Sequence, residues 1–409
     1  MKILIVHQYF LGKDDAGGSR WNQFAKYWAQ AGHEVTILAG MVHYASGKKS
    51  EQYKGKFIVT EDIMPGVRCI RCHVSESYNR SFMGRAWAYM SFTFSSLVAG
   101  FFKTHKPDIV IATSPPLTVE PTMKILAAAY RVPCVFEVRD LWPESAIDTG
   151  VLTSKPLIKM AYYMESQAYK AARWINVLTP AFVDALVEKK NVPREKISMI
   201  PNGADLDIMR PEPKDAGLQS ELGIDGRFVI SYFGAHGRAN KVGQLLDVAE
   251  RIKNSMPDVL FMLVGDGMEK AMLKEDAAKR NLDNVIFVNS VGKEKVKDYI
   301  NVSDICTAVL MKNDTFKTVY PNKVFDYMSC AKPIIIGIDG VARKLVEDAK
   351  AGLFAEPENP DAFIDAIRKI KDNSELRDAM GKSGLEYVRQ NYDRKVLAEK
   401  YIDILQKLV

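Results

Sequence analysis

The chain opens on a short apolar run, Lys2-Ile-Leu-Ile-Val-His7, whose unbroken hydrophobicity predicts a strand buried on both faces. A loop, Gln8 to Gly18, leads into Trp21, Phe24, Ala25 and Trp28 at helical spacing. Gly32 ends that helix, and residues 35–38 begin the next strand. Strand, loop, helix, glycine, strand is a βαβ unit with its crossover helix. The alternation recurs through apolar runs at 109–112, 135–138, 175–178 and 197–200, with helical segments between them. Repeated βα units predict a parallel sheet covered on both faces.

Pro201-Asn202-Gly203 is a turn signal, and the polar stretch 210–225 carries two prolines and little apolar content. The pattern then restarts at 228–233, 260–264, 285–288, 305–310 and 334–338. This is an α/β chain of two doubly wound, Rossmann-like domains, 1–203 and 204–391. The amphipathic segment 394–408 fits either of them. Each open parallel sheet offers a binding edge at the carboxyl ends of its strands, and two such edges facing across a cleft would share a ligand.

A length of 409 residues agrees with two domains of about 200 each. With 47% hydrophobic and 26% charged residues, a disordered or low-complexity chain is excluded. Five cysteines do not make a disulfide scaffold and suit a reducing compartment. No uncharged run reaches the roughly 20 residues of a spanning helix, and the opening apolar run is too short for a signal peptide. The expectation is a cytoplasmic protein. Charge is unevenly spread: residues 1–203 hold 25 Lys+Arg against 17 Asp+Glu, a balance of +8, and the remainder hold 31 against 33, a balance of −2. A basic first domain points to an anionic partner.

Candidate chemistry gathers at strand ends. Gly17-Gly18-Ser19 would let backbone N–H groups approach an anion at a helix start, or merely make a turn. Gly265-Asp266-Gly267 has the same geometric logic after the strand at 260–264, with an ordinary capped turn as the alternative. The loop from Gly234 to Lys241 adds two cations, Arg238 and Lys241, which could neutralise a diphosphate. In the stretch from Tyr320 to Pro333, Asn322 fits an N-cap and Lys323 adds charge beside free backbone donors. Asp326, one turn on, could accept hydrogen bonds from ribose hydroxyls. The alternative there is a capped amphipathic helix with Val324, Tyr327 and Met328 as core. His7 at the first strand's end fits a functional or a core histidine equally. Cys69 and Cys72 lack the second pair a zinc site needs, and Asp205-Leu-Asp207 reads as a turn.

In combination, Gly17-Gly18, Pro201-Asn202-Gly203-Ala204-Asp205, Gly265-Asp266-Gly267 and Asp326-Tyr-Met-Ser-Cys-Ala-Lys-Pro333 resemble the family 4 retaining glycosyltransferases in order and spacing over the whole chain. Arg139-Asp-Leu-Trp-Pro-Glu-Ser145 resembles the WbuB-like subgroup, which includes N-acetyl-fucosamine transferases of bacterial surface-polysaccharide assembly. The resemblance implies a GT-B fold, with the second domain holding a nucleotide sugar, UDP-linked rather than GDP-linked, and the first holding the acceptor. It also implies that 392–409 crosses back to the first domain. Asn322, Lys323, Arg238 and Lys241 would hold the donor diphosphate, with Gly234, Gly265, Asp266 and Gly267 beside it. Gly17 and Gly18 would approach it from the first domain, and Asp326 would bind the ribose. Arg20 and Arg139 are expected on the acceptor side. Thr318 stands where the family has a sugar-binding Glu, and Arg139 where it often has a His that contacts the sugar's 6-hydroxyl. A 6-deoxy sugar would not need that contact.

The expected reaction is transfer with retention, in which charge builds on the leaving diphosphate and fixed cations (Arg238, Lys241 and Lys323) stabilise it. Asp140 or Glu144 would position or deprotonate the acceptor hydroxyl. No metal or other cofactor is expected. The 17 uncharged residues 86–102, flanked by Arg85, Lys103 and Lys106, fit a half-buried helix on an anionic membrane face, with Trp87, Tyr89 and Phe92 at the lipid. Covering the sheet is the alternative for that helix. Together with the lipid-linked acceptors of the family, it implies a peripheral location on the inner membrane face, in O-antigen or capsule assembly. The competing readings are a GT-B-like sugar-nucleotide epimerase and a nucleic-acid-binding protein. The second lacks a dense cationic run or recognition motif, so no nucleic-acid partner is expected. A dinucleotide oxidoreductase lacks the Gly-x-Gly-x-x-Gly after the first strand.

Overall fold

The computed structural model describes residues 1–12, 20–42, 48–77 and 82–409. Among them two compact units separate: residues up to 201 together with 395–409, and residues 202–394. The first unit holds strands β1 (Lys2–Val6), β2 (Glu34–Gly40), β3 (Ile58–Met64), β4 (Val67–Cys72), β5 (Ile109–Ser114), β6 (Cys134–Val138), β7 (Trp174–Val177) and β8 (Ile197–Met199). They lie in the order β3-β4-β2-β1-β5-β6-β7-β8, all parallel except β3. The chain leaves β1 toward one edge and returns through β5 toward the other, so the strand order reverses between β1 and β5.

One face of this sheet packs Ile3, Ile5, Ile109, Ile111 and Val135 against Trp21, Phe24 and Trp28 of the helix Arg20–Gln30. Tyr401, from the last helix Arg394–Leu408, enters the same cluster, with its ring 4.9 Å from that of Trp174 and 5.5 Å from that of Trp28. Trp28 Nε1 donates to the Ala398 carbonyl at 2.8 Å. The amphipathic C-terminal segment therefore completes the first unit's core, although it is made last.

The second unit holds β9 (Phe228–Phe233), β10 (Val259–Val264), β11 (Val285–Val288), β12 (Ile305–Val309), β13 (Ile334–Gly337) and β14 (Gly352–Phe354). The order β11-β10-β9-β12-β13-β14 is the 3-2-1-4-5-6 pattern of a Rossmann sheet, with its reversal between β9 and β12. The unit boundaries lie a few residues away from those expected, 203 and 392. Ala204 N donates to the Tyr392 carbonyl at 2.8 Å, Arg394 N to Ala204 O at 2.9 Å, and Arg394 Nε to Asn202 O at 3.0 Å. These bonds tie 202–204 to 392–394 and keep both segments in the second unit.

Candidate active site

In the second unit the site is built where the strand order reverses. The Tyr327 hydroxyl accepts from Phe233 N at 3.1 Å and donates to the Thr307 carbonyl at 3.2 Å. One buried phenol thus fixes the helix Asn322–Ser329 against the end of β9 and the middle of β12. Pro321, in extended geometry, takes the cap position, so Asn322 is the first helical residue and not the expected N-cap; its side chain makes no cap bond. The correction moves the helix start by one residue. Early N–H groups of the helix, those of Asn322 and Lys323, still lack intrahelical acceptors.

Lys323 turns back over β9. Its Nζ lies 3.9 Å from the Tyr232 ring centroid, and a Cβ on Gly234 would come within 2.8 Å of that nitrogen. Gly234 stands at φ +141°, a backbone conformation that side chains rarely adopt, and its missing side chain leaves room beside it for the ammonium. No carboxylate among the described residues pairs with Lys323, and burial pushes its ammonium down to about 7. Arg238 and Lys241 are exposed on the following loop; Lys241 lies 3.9 Å from Glu358. That loop is held at the site by the Tyr232 hydroxyl, 2.9 Å from Ala235 O and 3.0 Å from Asn240 Oδ1. Met311 N, just past β12, donates to Ala239 O at 2.9 Å.

Asp326 sits one helical turn from Lys323, on the same side of the helix. Burial raises its carboxyl above the ordinary range, while Lys293 and Arg394 oppose that shift. Lys293, 3.8 Å from Asp205, is itself pushed down to about 8 by burial and by Arg394. Sequence reasoning passed over Lys293, which stands in a polar run of lysines and looks like solvated surface. Asp205 and Lys293 form an ion pair, which agrees with reading Asp205-Leu-Asp207 as structural.

Gly265 and Gly267, expected beside the donor, also serve the packing of the protein on itself. An added Cβ would lie 1.9 Å from the Gly234 carbonyl oxygen at Gly265, and 2.5 Å from the His236 carbonyl oxygen at Gly267. His236 N donates to Asp266 O at 2.8 Å. These glycines let two strand-end loops pack on each other; the room they leave is filled by protein backbone. Gly17 and Gly18 lie outside the described residues.

In the first unit, Arg20, expected on the acceptor side, is held inside the protein. It is 3% exposed, its guanidinium donates to both oxygens of Glu137 at 3.2 and 3.1 Å, and it donates further to the carbonyls of Ile200 and Pro201. Asn176 Nδ2 donates to the same Glu137 at 3.0 Å. Arg20 commits four of its five N–H groups to holding the helix Arg20–Gln30 to the sheet and to the end of the unit.

The Arg139–Ser145 segment follows β6. Asp140 Oδ2 accepts from the Ser145 hydroxyl at 2.8 Å, and burial raises its carboxyl above the ordinary range. Glu144 instead accepts from Lys190 at 2.5 Å, and Lys190 also reaches Glu165 at 2.7 Å. Glu165 accepts from the Tyr169 hydroxyl at 2.9 Å. Glu144, expected to position or deprotonate the acceptor hydroxyl, anchors the segment through Lys190. Lys190→Met should therefore lower stability by roughly 3 kcal/mol, because it leaves two carboxylates together with Glu165 buried. Urea denaturation would measure this, and a midpoint equal to wild type would refute the anchor.

A glycosyl transferase 4-like domain model matches residues 16–203, and a group 1 glycosyl transferase model matches residues 218–387. The chain is 22% identical over 419 residues to the putative colanic acid biosynthesis glycosyl transferase WcaI of Escherichia coli, covering 98% of this chain and 99% of that protein. It is 21% identical to the probable glycosyltransferase WbjE of Pseudomonas aeruginosa, over 80% of each. Among solved structures, sucrose-phosphate synthase from Thermosynechococcus elongatus superposes with a TM-score of 0.77 at 17% identity, covering 100% of this chain and 98% of the other. HepE of Anabaena, in complex with UDP and glucose, gives a TM-score of 0.74 at 17% identity, covering 100% of both.

Proposed function

From the premise that the chain belongs to the glycosyltransferases of GT-B fold, with a glycosyl transferase 4-like first domain and a group 1 second domain, we propose that it moves a sugar from a UDP-linked donor, with retention and without a metal, onto a lipid-linked saccharide. The observation that carries the donor reading is a pair of side chains on one turn of one helix. Lys323 is a desolvated cation with no carboxylate partner among the described residues, and Asp326 is a carboxylate held up by burial. A diphosphate supplies the charge Lys323 lacks, and ribose hydroxyls supply the donors Asp326 can accept. Free N–H groups at the helix start and the cations Arg238 and Lys241 extend the same positive field. As the glycosidic bond to the leaving phosphate lengthens, negative charge would grow on the phosphate that these groups hold.

Asp140 is the group proposed to take or orient the acceptor's proton, supported by its raised carboxyl and the Ser145 hydroxyl that holds it. The donor reading extends to an N-acetylated 6-deoxyhexose such as N-acetyl-fucosamine. It is supported by the Arg139–Ser145 motif, with Arg139 in place of a His for a 6-hydroxyl. Surface-polysaccharide assembly is the setting this implies.

Attachment to an anionic membrane face is supported by the helix Phe82–Phe102. Met83, Trp87, Met90, Phe94 and Phe101 are all exposed, Trp87 at 63%, and fall within about 40° of one line at 100° per residue. Ala88, Phe92, Ser95, Ser96 and Ala99 are buried on the opposite side. Phe92 is thus corrected from lipid contact to core. Arg85, Lys103 and Lys106 flank the stripe, and residues 82–107 contain no Asp or Glu. No helix among the described residues is long and apolar enough to cross a membrane, so contact along the surface is the geometry proposed. Trp87→Ser with Phe94→Ser should weaken binding to anionic vesicles at least about 10-fold at low salt; equal cosedimentation would refute it.

The donor reading is tested by thermal shift with UDP, GDP and ADP and with UDP-sugars. UDP should raise the melting temperature in proportion to the logarithm of its concentration. No shift with any nucleoside diphosphate would overturn the proposal.

A further inference from the structure

Lys323 starts from one face of the second unit's sheet and comes to rest on the other. Its helix neighbours Val324 and Phe325 are buried in the cluster that also holds Phe233. Tyr232, one residue earlier on β9, is buried in the opposite cluster with Leu245 and Leu246, as the alternation of a strand requires. The lysine therefore reaches round the end of β9 to set its Nζ 3.9 Å from the Tyr232 ring centroid. It passes at Gly234, where an added Cβ would lie 2.8 Å from that nitrogen and 3.3 Å from the Tyr232 hydroxyl oxygen. One missing side chain is the space in which the ammonium and the phenol meet.

The far end of the same side chain holds a second element. The Tyr232 hydroxyl lies 2.9 Å from Ala235 O and 3.0 Å from Asn240 Oδ1. With the Asn240 amide turned over, it donates to the first and accepts from the second. Those two residues bracket the loop that carries Arg238. The phenol is fully buried, and burial pushes it far above its ordinary value, so it stays neutral. The His236 ring, 6.0 Å away, is held down to about 4 by burial and Lys270 and is neutral as well. The kind of partner decides what Lys323 is free to do. A carboxylate at Nζ would cancel the charge of the ammonium and compete with an incoming anion. An aromatic face attracts the same ammonium through its quadrupole and leaves the net charge in place. It also fixes a stem that otherwise samples many rotamers, whose ordering would weaken binding.

We propose that Tyr232 is a positioning residue for the donor diphosphate: its ring seats the Lys323 ammonium without cancelling its charge, and its hydroxyl clamps the loop of Arg238. One buried side chain thereby fixes two cationic elements relative to each other. Tyr232 does not meet the donor; it acts through Lys323 and the loop. The assignment rests on the donor reading above and adds what holds that site in shape before the nucleotide arrives.

The test measures dissociation constants of UDP and of uridine on the full-length protein by ligand-observed NMR. Uridine carries the base and ribose without phosphate, so a general loosening of the fold weakens both ligands, whereas a lost seat weakens UDP alone. Tyr232→Leu should weaken UDP about 10-fold or more and uridine by less than about 2-fold. Tyr232→Phe keeps the ring face and loses the clamp, and should weaken UDP about 3-fold. On a Lys323→Met background the two variants should become equal, because the ring has no ammonium left to seat. Three results would overturn the assignment. They are a ratio of UDP to uridine affinity unchanged in Tyr232→Leu, equal losses in the Leu and Phe variants of the native chain, and a difference between them that survives Lys323→Met. Should Tyr232→Leu fold poorly, the near-isosteric Tyr232→Phe carries the test, and UDP binding equal to wild type would overturn the assignment there too. A wild-type protein that binds UDP no better than uridine would instead sink the donor reading, which keeps the two failures apart.

Discussion

Lys323→Met is expected to make the ligand-free protein more stable and the enzyme nearly inactive. In the native chain the ammonium is held beside the Tyr232 ring and Gly234 with no carboxylate to balance it, and burial lowers it from 10.5 to about 7. Between those two pH values the folded chain binds fewer protons than the unfolded chain, so stability rises as pH rises through the window. The cost of the buried charge is greatest at and below pH 7, on the order of a few kcal/mol. Methionine keeps the length and removes that cost, so the variant's advantage in melting temperature should be largest near neutrality and shrink toward pH 10. Turnover should fall about 10²–10³-fold, with a smaller loss of donor affinity, because the cation acts most strongly on charge that develops as the diphosphate leaves. UDP binding to the wild type should take up a proton between pH 7 and 9, read by calorimetry in buffers of different ionisation enthalpy. Turnover unchanged by the substitution would remove Lys323 from the chemistry.

Gly265→Ala is expected to be the most destabilising single-methyl change in the second unit, at about 3–5 kcal/mol. The added carbon would lie 1.9 Å from the Gly234 carbonyl oxygen, and the backbone there, at φ +146°, is one that side chains rarely adopt. Neither strand-end loop can yield without breaking the bond from Gly234 N to Val264 O at 3.0 Å. Gly292→Ala makes the control: its φ is −60° and its surroundings are open, so it should stay within about 0.5 kcal/mol of wild type. Denaturant midpoints measure both. A Gly265→Ala protein as stable as the control would show that the loops do not depend on each other.

Gly265 also shows where a reading of the chain alone stops. That glycine after a strand is special was legible from position; that its empty side is filled by another loop, 31 residues earlier, was not. The ion pairs of Arg20 and Glu144 were hidden for the same reason. Each residue is charged and lies beside apparent active-site sequence, and its partner stands 117 or 46 residues away. Lys323 and Asp326 were legible because their relation is local, three residues apart on one helix. The core strands were legible as apolar runs. Strands β3 and β14 were passed over because each lies at a sheet edge: β3 mixes Thr60, Glu61 and Asp62 into its run, and β14 has only three residues. The helix Phe82–Phe102 is apolar nearly throughout, so which aromatics face inward depends on where the sheet lies.

The closing helix sets an order of events during synthesis. Residues 202–394 form their unit from one continuous stretch, whereas the first unit waits for Tyr401 to meet Trp21, Trp28 and Trp174. On the ribosome, the unit of residues up to 201 must therefore remain unfinished, with an indole-lined gap in its core, until residues 395–409 emerge. Such an intermediate exposes apolar surface for as long as translation of the second half takes. A chain that stops early would lose the plug for its oldest part.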